Sequence, residues 1–166
     1  MIRVRLPLSS LLICIACSSD GPSAVTSREL SDVDVGTLAR AVSGWTYFRN
    51  SPDTLARSNV SGHSEARLRT RYNAIAATQL DSVGRVKSGA VFPDSSVIVK
   101  ELYDGNVLRR YAVMMKRASK NAGAGWLWGE YAPDGSTFVP ITNRGNSCVN
   151  CHSVGIDYSR MNDGHP

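Results

Sequence analysis

The chain predicts an α+β fold in which one antiparallel sheet dominates and the helices are few. Three observations carry this expectation. Between residues 66 and 141, successive segments alternate apolar and polar residues or run rich in β-branched and aromatic ones, as strands do. The breaks between those segments are short turn signals, Asp104-Gly105-Asn106 and Pro133-Asp134-Gly135, which suit hairpins rather than crossovers. Helical spacing is confined to short stretches, so the pattern is not the regular strand–helix alternation of a parallel sheet.

At 166 residues, 42% hydrophobic and 20% charged, the chain has the make-up of one globular domain with a real core. Its formal charge is +5. Removing residues 1–17 takes Lys+Arg from 19 to 17 and leaves Asp+Glu at 14, a charge of about +3. The basic residues are scattered, with no run interleaved by aromatics, so nucleic acid is not an expected partner.

Taken in order, residues 18–28 are small and polar and suit a tether. From Glu29 to Ser43, Leu30, Val33, Leu38 and Val42 form an imperfect helical stripe, weakened by Gly36. Trp45, Tyr47 and Phe48 make an aromatic cluster of the kind that fills a core. Residues 49–62 read as a loop. Ala66, Leu68, Thr70 and Tyr72 then share one strand face, and Arg67, Arg69 and Arg71 an open, solvated one. Asn73 can cap a helix to about Lys87, stopped by Gly89. After a turn at 92–96, Val97 to Tyr103 is a strong strand and Val107 to Arg117 its hairpin partner. Trp126 to Ala132 and Thr137 to Ile141 follow as strands, and a short C-terminal helix closes the domain, 29–166.

That helix carries Cys148-Val149-Asn150-Cys151-His152, the C-x-x-C-H spacing of covalent c-type haem attachment. Thiols three apart lie on one face of a helical turn, where each can form a thioether with a porphyrin vinyl group. His152 then stands where a neutral imidazole can ligate the iron. A redox dithiol would need a βαβ setting, and a zinc site would need ligands beyond His63 and His165. A plain disulfide is the remaining alternative.

The N-terminus reads as an export signal. Arg3 and Arg5 precede a short apolar run from Leu6 to Ile15, too short for an ordinary membrane span. Its end, Cys14-Ile15-Ala16-Cys17, resembles a bacterial lipoprotein signal in which Cys17 is lipidated, although Cys14 stands where leucine is usual. Simple cleavage near Ala24, giving a soluble product, is the alternative. Either route leads to an oxidising compartment, the periplasm, with an outer-membrane lipid anchor on the first reading.

Lys100 lies in the most apolar strand, on the face of Ile98 and Leu102. A buried ammonium is costly unless paired or neutralised, so Lys100 is either an edge-strand lysine reaching water or one that has lost its proton or reacted.

The run Phe92 to Leu102, then Tyr111 to Arg117, then Gly125-Trp126-Leu127-Trp128, then the late C-x-x-C-H, resembles the cytochrome P-460 family over about residues 44–160. The resemblance implies a periplasmic, mainly antiparallel-β homodimer with one haem c. It also implies oxidation of hydroxylamine to nitrogen oxides, with electrons passed to an external acceptor. A lysine bonded to a porphyrin meso carbon would, by the strand match, be Lys100. Arg69 corresponds to the strand position nearest the distal pocket. The related cytochrome c-prime-beta group lacks the cross-link and binds nitric oxide and carbon monoxide, so a non-enzymatic gas-binding or electron-carrying role stays open.

No sixth iron ligand stands out. His63 reads as a surface loop residue and His165 as part of the tail, and of Met114 and Met115 one at most can face a haem. Met161 lies in the tail. No distal carboxylate is identifiable, since Glu101 points away if Lys100 points in, and Glu130, Asp104 and Asp134 sit beside turns.

Overall fold

A computed structural model describes residues 28–160. The expected signal at 1–17 with Cys17, the expected tether short of its last residue, Met161 and His165 lie outside the described residues. Strands β1 (Trp45–Tyr47), β2 (Leu55–Ala56), β3 (Arg67–Asn73), β4 (Val97–Asp104), β5 (Val107–Lys116), β6 (Trp126–Tyr131) and β7 (Thr137–Val139) form one antiparallel sheet. Their order is β1-β3-β4-β5-β6-β7, with β2 also paired to β3. Among the described residues there are three short α-helices, α1 (Asp32–Arg40), α2 (Ala74–Ala77) and α3 (Val149–His152), and single 3-10 turns at Phe48–Asn50 and Ile141–Asn143. The expected α+β class and antiparallel sheet are both present.

Both faces of the sheet are covered. Leu68, Tyr72, Ile98, Leu102, Met114, Trp126 and Trp128 belong to one core, against which Cys148, Val149, Ile156 and Tyr158 pack. Val97, Val99, Val113, Met115, Leu127 and Tyr131 belong to the other, closed by Val35 and Ala39 of α1 and by Ile141. Period-2 alternation thus sends neighbouring residues of β4 and β5 into different cores, and Met114 and Met115 part company in this way.

Helix α1 is shorter than the stretch 29–43 but starts cleanly. The Ser31 hydroxyl accepts from the Asp34 amide at 3.3 Å, and the Asp34 carboxylate accepts from the Ser31 amide at 2.8 Å, a reciprocal cap. Asp32 holds the helix to the sheet by accepting from Tyr131 Oη and the Ile141 amide, both at 2.9 Å. Gly36 is what allows the approach, since a Cβ there would lie 3.2 Å from the Tyr131 ring.

Two expectations need correction. The helix foreseen from Asn73 to Lys87 is one turn long, Ala74–Ala77. Beyond it the backbone bonds to itself as a small hairpin, Asp81 N to Arg85 O at 2.7 Å and Lys87 N to Gln79 O at 2.9 Å. Asp81 Oδ1 also accepts from the Val83 and Arg85 amides, the local competition with helix that aspartate offers. The arginine face of β3 is open to solvent at Arg67, as expected, but is covered progressively through Arg69 to Arg71. Arg71 is buried, its guanidinium 4.5 Å from the Trp45 ring and donating to the carbonyls of Ala39 and Ala41 at the end of α1.

Asn73 ties the first half of the sheet to the second. Its Oδ1 accepts from Ala76 N at 2.9 Å and Val97 N at 3.0 Å, and its Nδ2 donates to Ser95 O at 2.9 Å. Asn73→Ala should lower unfolding free energy by about 1–3 kcal/mol, read as a lower urea midpoint with an unchanged slope.

Candidate functional site

Cross-strand register builds the floor of a cleft from two rows of side chains. Lys100, Ala112 and Glu130 stand opposite one another across β4, β5 and β6, and Ile98, Met114 and Trp128 form the next row. Over these rows lie Cys148, His152, Ser159 and Arg160, with His63 from the loop between β2 and β3. The cleft is open to solvent on one side and adjoins a second recess, the two sharing walls at His63, Glu130, Cys148 and His152.

The C-terminal wall is locally determined. Cys148 N and Val149 N both donate to Gly145 O at 2.8 Å, and His152 N donates to Cys148 O at 3.0 Å, so α3 starts at once. Gly145 has a left-handed φ of 70°, and a Cβ there would stand 2.4 Å from Trp128. The His152 ring packs edge-on against Trp128 with centroids 5.0 Å apart. Its Nδ1 lies 2.8 Å from Tyr158 O. A carbonyl only accepts, so Nδ1 carries the proton and the neutral ring keeps its lone pair on Nε2. Cys148 and Cys151 are both free thiols. Burial pushes the Cys148 thiol above its ordinary value. Arg160 Nη1 donates to Cys151 O at 2.8 Å and lies 3.0 Å from its Sγ.

Lys100 faces this wall. It is 6% exposed, and its Nζ makes no hydrogen bond among the described residues. Burial pulls its pKa down to about 8; the nearby Cys151 thiol and Glu130 oppose that fall, and Arg160 adds to it. Of its two readings from sequence, the edge-strand lysine reaching water is the one the geometry removes, because β4 is flanked by β3 and β5.

Glu130 and His63 were not expected here. Glu130 lies on the same face of β6 as Trp126 and Trp128, so alternation along that strand was the signal that could have found it. Arg110 Nη1 bonds Glu130 Oε2 at 2.7 Å, and Arg110 Nε lies 2.6 Å from Glu65 Oε1. The other Glu130 oxygen lies 3.6 Å from His63 Nδ1. His63 is a cleft residue, its side chain 16% exposed, rather than a surface one. Its loop offered no periodicity to reveal this.

The expectation for Arg69 is corrected. Arg69 pairs in register with Glu101, on the face opposite Lys100. It bonds Glu101 Oε2 at 2.6 Å, Tyr103 Oη at 3.0 Å and Pro52 O at 3.0 Å, none of them in the cleft. Arg71 Nε lies 3.1 Å from the other Glu101 oxygen, so this buried carboxylate is held from both sides. Glu101 does point away from the cleft, as expected.

Among the described residues no group of three or more His, Cys, Asp or Glu is gathered as a metal site. No family model, curated protein or solved structure matches the chain.

Two predictions follow from the paired and unpaired charges of β4. Glu101→Ala should destabilise by about 3–5 kcal/mol, because it strands Arg71 in the core, and calorimetry or urea unfolding measures it. Lys100 binds its proton less readily folded than unfolded, so between pH 8 and 10.5 the unfolded chain holds the extra proton and stability rises with pH. In chain made without any attached cofactor, urea unfolding at pH 7.5 and pH 10 should show about 2 kcal/mol more gain than in Lys100→Met.

Proposed function

We propose that the chain is an exported mono-haem c-type cytochrome that oxidises hydroxylamine to nitrogen oxides and passes the electrons to an external acceptor. The observation that carries this reading is the shared cleft: Cys148, His152 and the unpartnered ammonium of Lys100 line one space. The resemblance of Phe92 to Leu102, Tyr111 to Arg117 and the Trp126 segment to the cytochrome P-460 family supports it from the sequence side.

The residues suit the group. Cys148 and Cys151 would form the two thioethers, and His152 would ligate iron through Nε2. Lys100, buried and with its pKa drawn down to about 8, would be the amine bonded to the porphyrin edge. Bound haem would supply an iron that coordinates nitrogen and accepts electrons singly. The chain's own groups handle the protons. Arg110 fixes one oxygen of Glu130, and the other, turned toward His63, can accept a proton from a small N–H or O–H substrate in the cleft. Ile98, Ala112 and Met114 keep the remaining floor apolar. That floor also suits a neutral diatomic gas, which favours nitric oxide binding as the second reading. The proposed setting is the periplasm, with Cys17 as a lipid anchor and a second copy of the chain as partner.

The purified protein should carry the mass of one covalent haem and show a Soret band well to the red of an ordinary c-type haem. Lys100→Ala should return that band to the ordinary position; an ordinary band in the parent protein sinks the cross-link. Glu130→Gln should keep the parent spectrum and lose about 100-fold or more in kcat/KM for hydroxylamine with an artificial electron acceptor. Red-shifted protein without turnover favours the gas-binding role.

A further inference from the structure

The segment that receives the His152 proton is a strained turn, and something outside it holds it in place. Ile156 and Ser159 pair with each other, Ile156 N to Ser159 O at 3.0 Å and Ser159 N to Ile156 O at 2.8 Å. The two residues between them, Asp157 and Tyr158, have φ of 43° and 65°. Successive positive φ values are the pattern of a type I′ turn, which favours Gly, Asn and Asp and which a tyrosine adopts at a cost. Left-handed backbone at bulky residues persists where surrounding structure over-determines it.

That structure is the Asp157 carboxylate. Its Oδ1 accepts from Lys116 Nζ at 2.7 Å, and its Oδ2 from Lys116 Nζ at 3.0 Å and from the Phe92 amide at 2.8 Å. Lys116 closes β5 and places its ammonium 4.9 Å from the Trp126 ring centroid. Both members of the pair are largely buried, so the bond is not a screened surface ion pair of little weight. The turn is thereby pinned to the sheet through one side chain, and the next carbonyl along, Tyr158 O, meets His152 Nδ1.

We infer that Asp157 and Lys116 form a clamp that positions His152, holding the Tyr158 carbonyl against Nδ1 so that Nε2 is presented as a strongly basic ligand. Neither residue touches the iron site itself; they act through the turn. Hydrogen bonding at the far nitrogen of a metal-bound imidazole raises its basicity, which strengthens the iron–imidazole bond and favours ferric over ferrous iron. The inference rests on the haem reading above.

Asp157→Asn keeps a residue that tolerates positive φ and can still accept from Phe92, but loses the charge. Lys116→Met keeps the apolar stem and loses the ammonium. Intact mass is measured first on parent and variants, then the iron–imidazole stretch of the ferrous proteins by resonance Raman, and the reduction potential. With haem present, both variants should move the stretch to lower frequency and the potential to more positive values. A haem-loaded pair of variants with parental stretch and potential overturns the clamp, even if both are less stable, because stability loss alone is what a merely structural ion pair would show. A parent protein without haem mass overturns the haem reading, and the clamp with it.

Discussion

Burial of β4 on both faces is the constraint from which the rest of the molecule follows. A strand flanked by two others and covered above and below has no solvated side, so each polar residue in it must be resolved inside the protein. Two ionisable neighbours, Lys100 and Glu101, sit in its centre and point opposite ways. Glu101 receives two arginines and a tyrosine hydroxyl. Lys100 receives nothing among the described residues. One strand therefore satisfies one charge fully and leaves the adjacent one bare.

That asymmetry follows from register, which gives the two positions different neighbours. Arg69 and Thr70 stand opposite Glu101 and Lys100 on β3, and Tyr111 and Ala112 on β5. The small Ala112 leaves open space beside the ammonium, where a larger residue would have filled it or a carboxylate paired it. The nearest acid in that row, Glu130, lies one strand further and is engaged by Arg110. The amine thus has no hydrogen-bond partner among the described residues, a pKa drawn down by burial, and a thiol and an imidazole across the cleft, an arrangement that costs stability.

Much of the fold was legible where period-2 alternation meets short turns. β4, β5 and β6 run within a residue or so of their expected ends, and the hairpin at Asp104-Gly105-Asn106 is present. Alternation alone put Lys100 with Ile98 and turned Glu101 away. It failed where side chains redirect the backbone, as Asp81 does in ending α2 early, and where charge was equated with exposure. The arginines of β3 alternate as a solvated face would, but α1 lies over Arg71 and Glu101 lies between Arg69 and Arg71, contacts between distant parts of the chain that no local pattern encodes. His63 was hidden for the same reason: a loop residue acquires a site only when the fold folds over it.

The cleft is thus made of two walls with different physics. The sheet wall is set by register, a collective property of β4, β5 and β6 that no single side chain can shift without sliding a strand. The C-terminal wall, Gly145 to Arg160, is a local chain of turns whose shape rests on individual bonds: Gly145 against Trp128, Arg160 on Cys151, Asp157 on Lys116 and Phe92. Changes in the first wall should alter what fits in the cleft, because they change its volume and polarity. Changes at Asp157 should alter how His152 is presented with little effect on the volume, because Asp157, Lys116 and Phe92 do not line the cleft. Cleft volume and the presentation of His152 are consequently separable at Asp157, which acts on the second without lining the first.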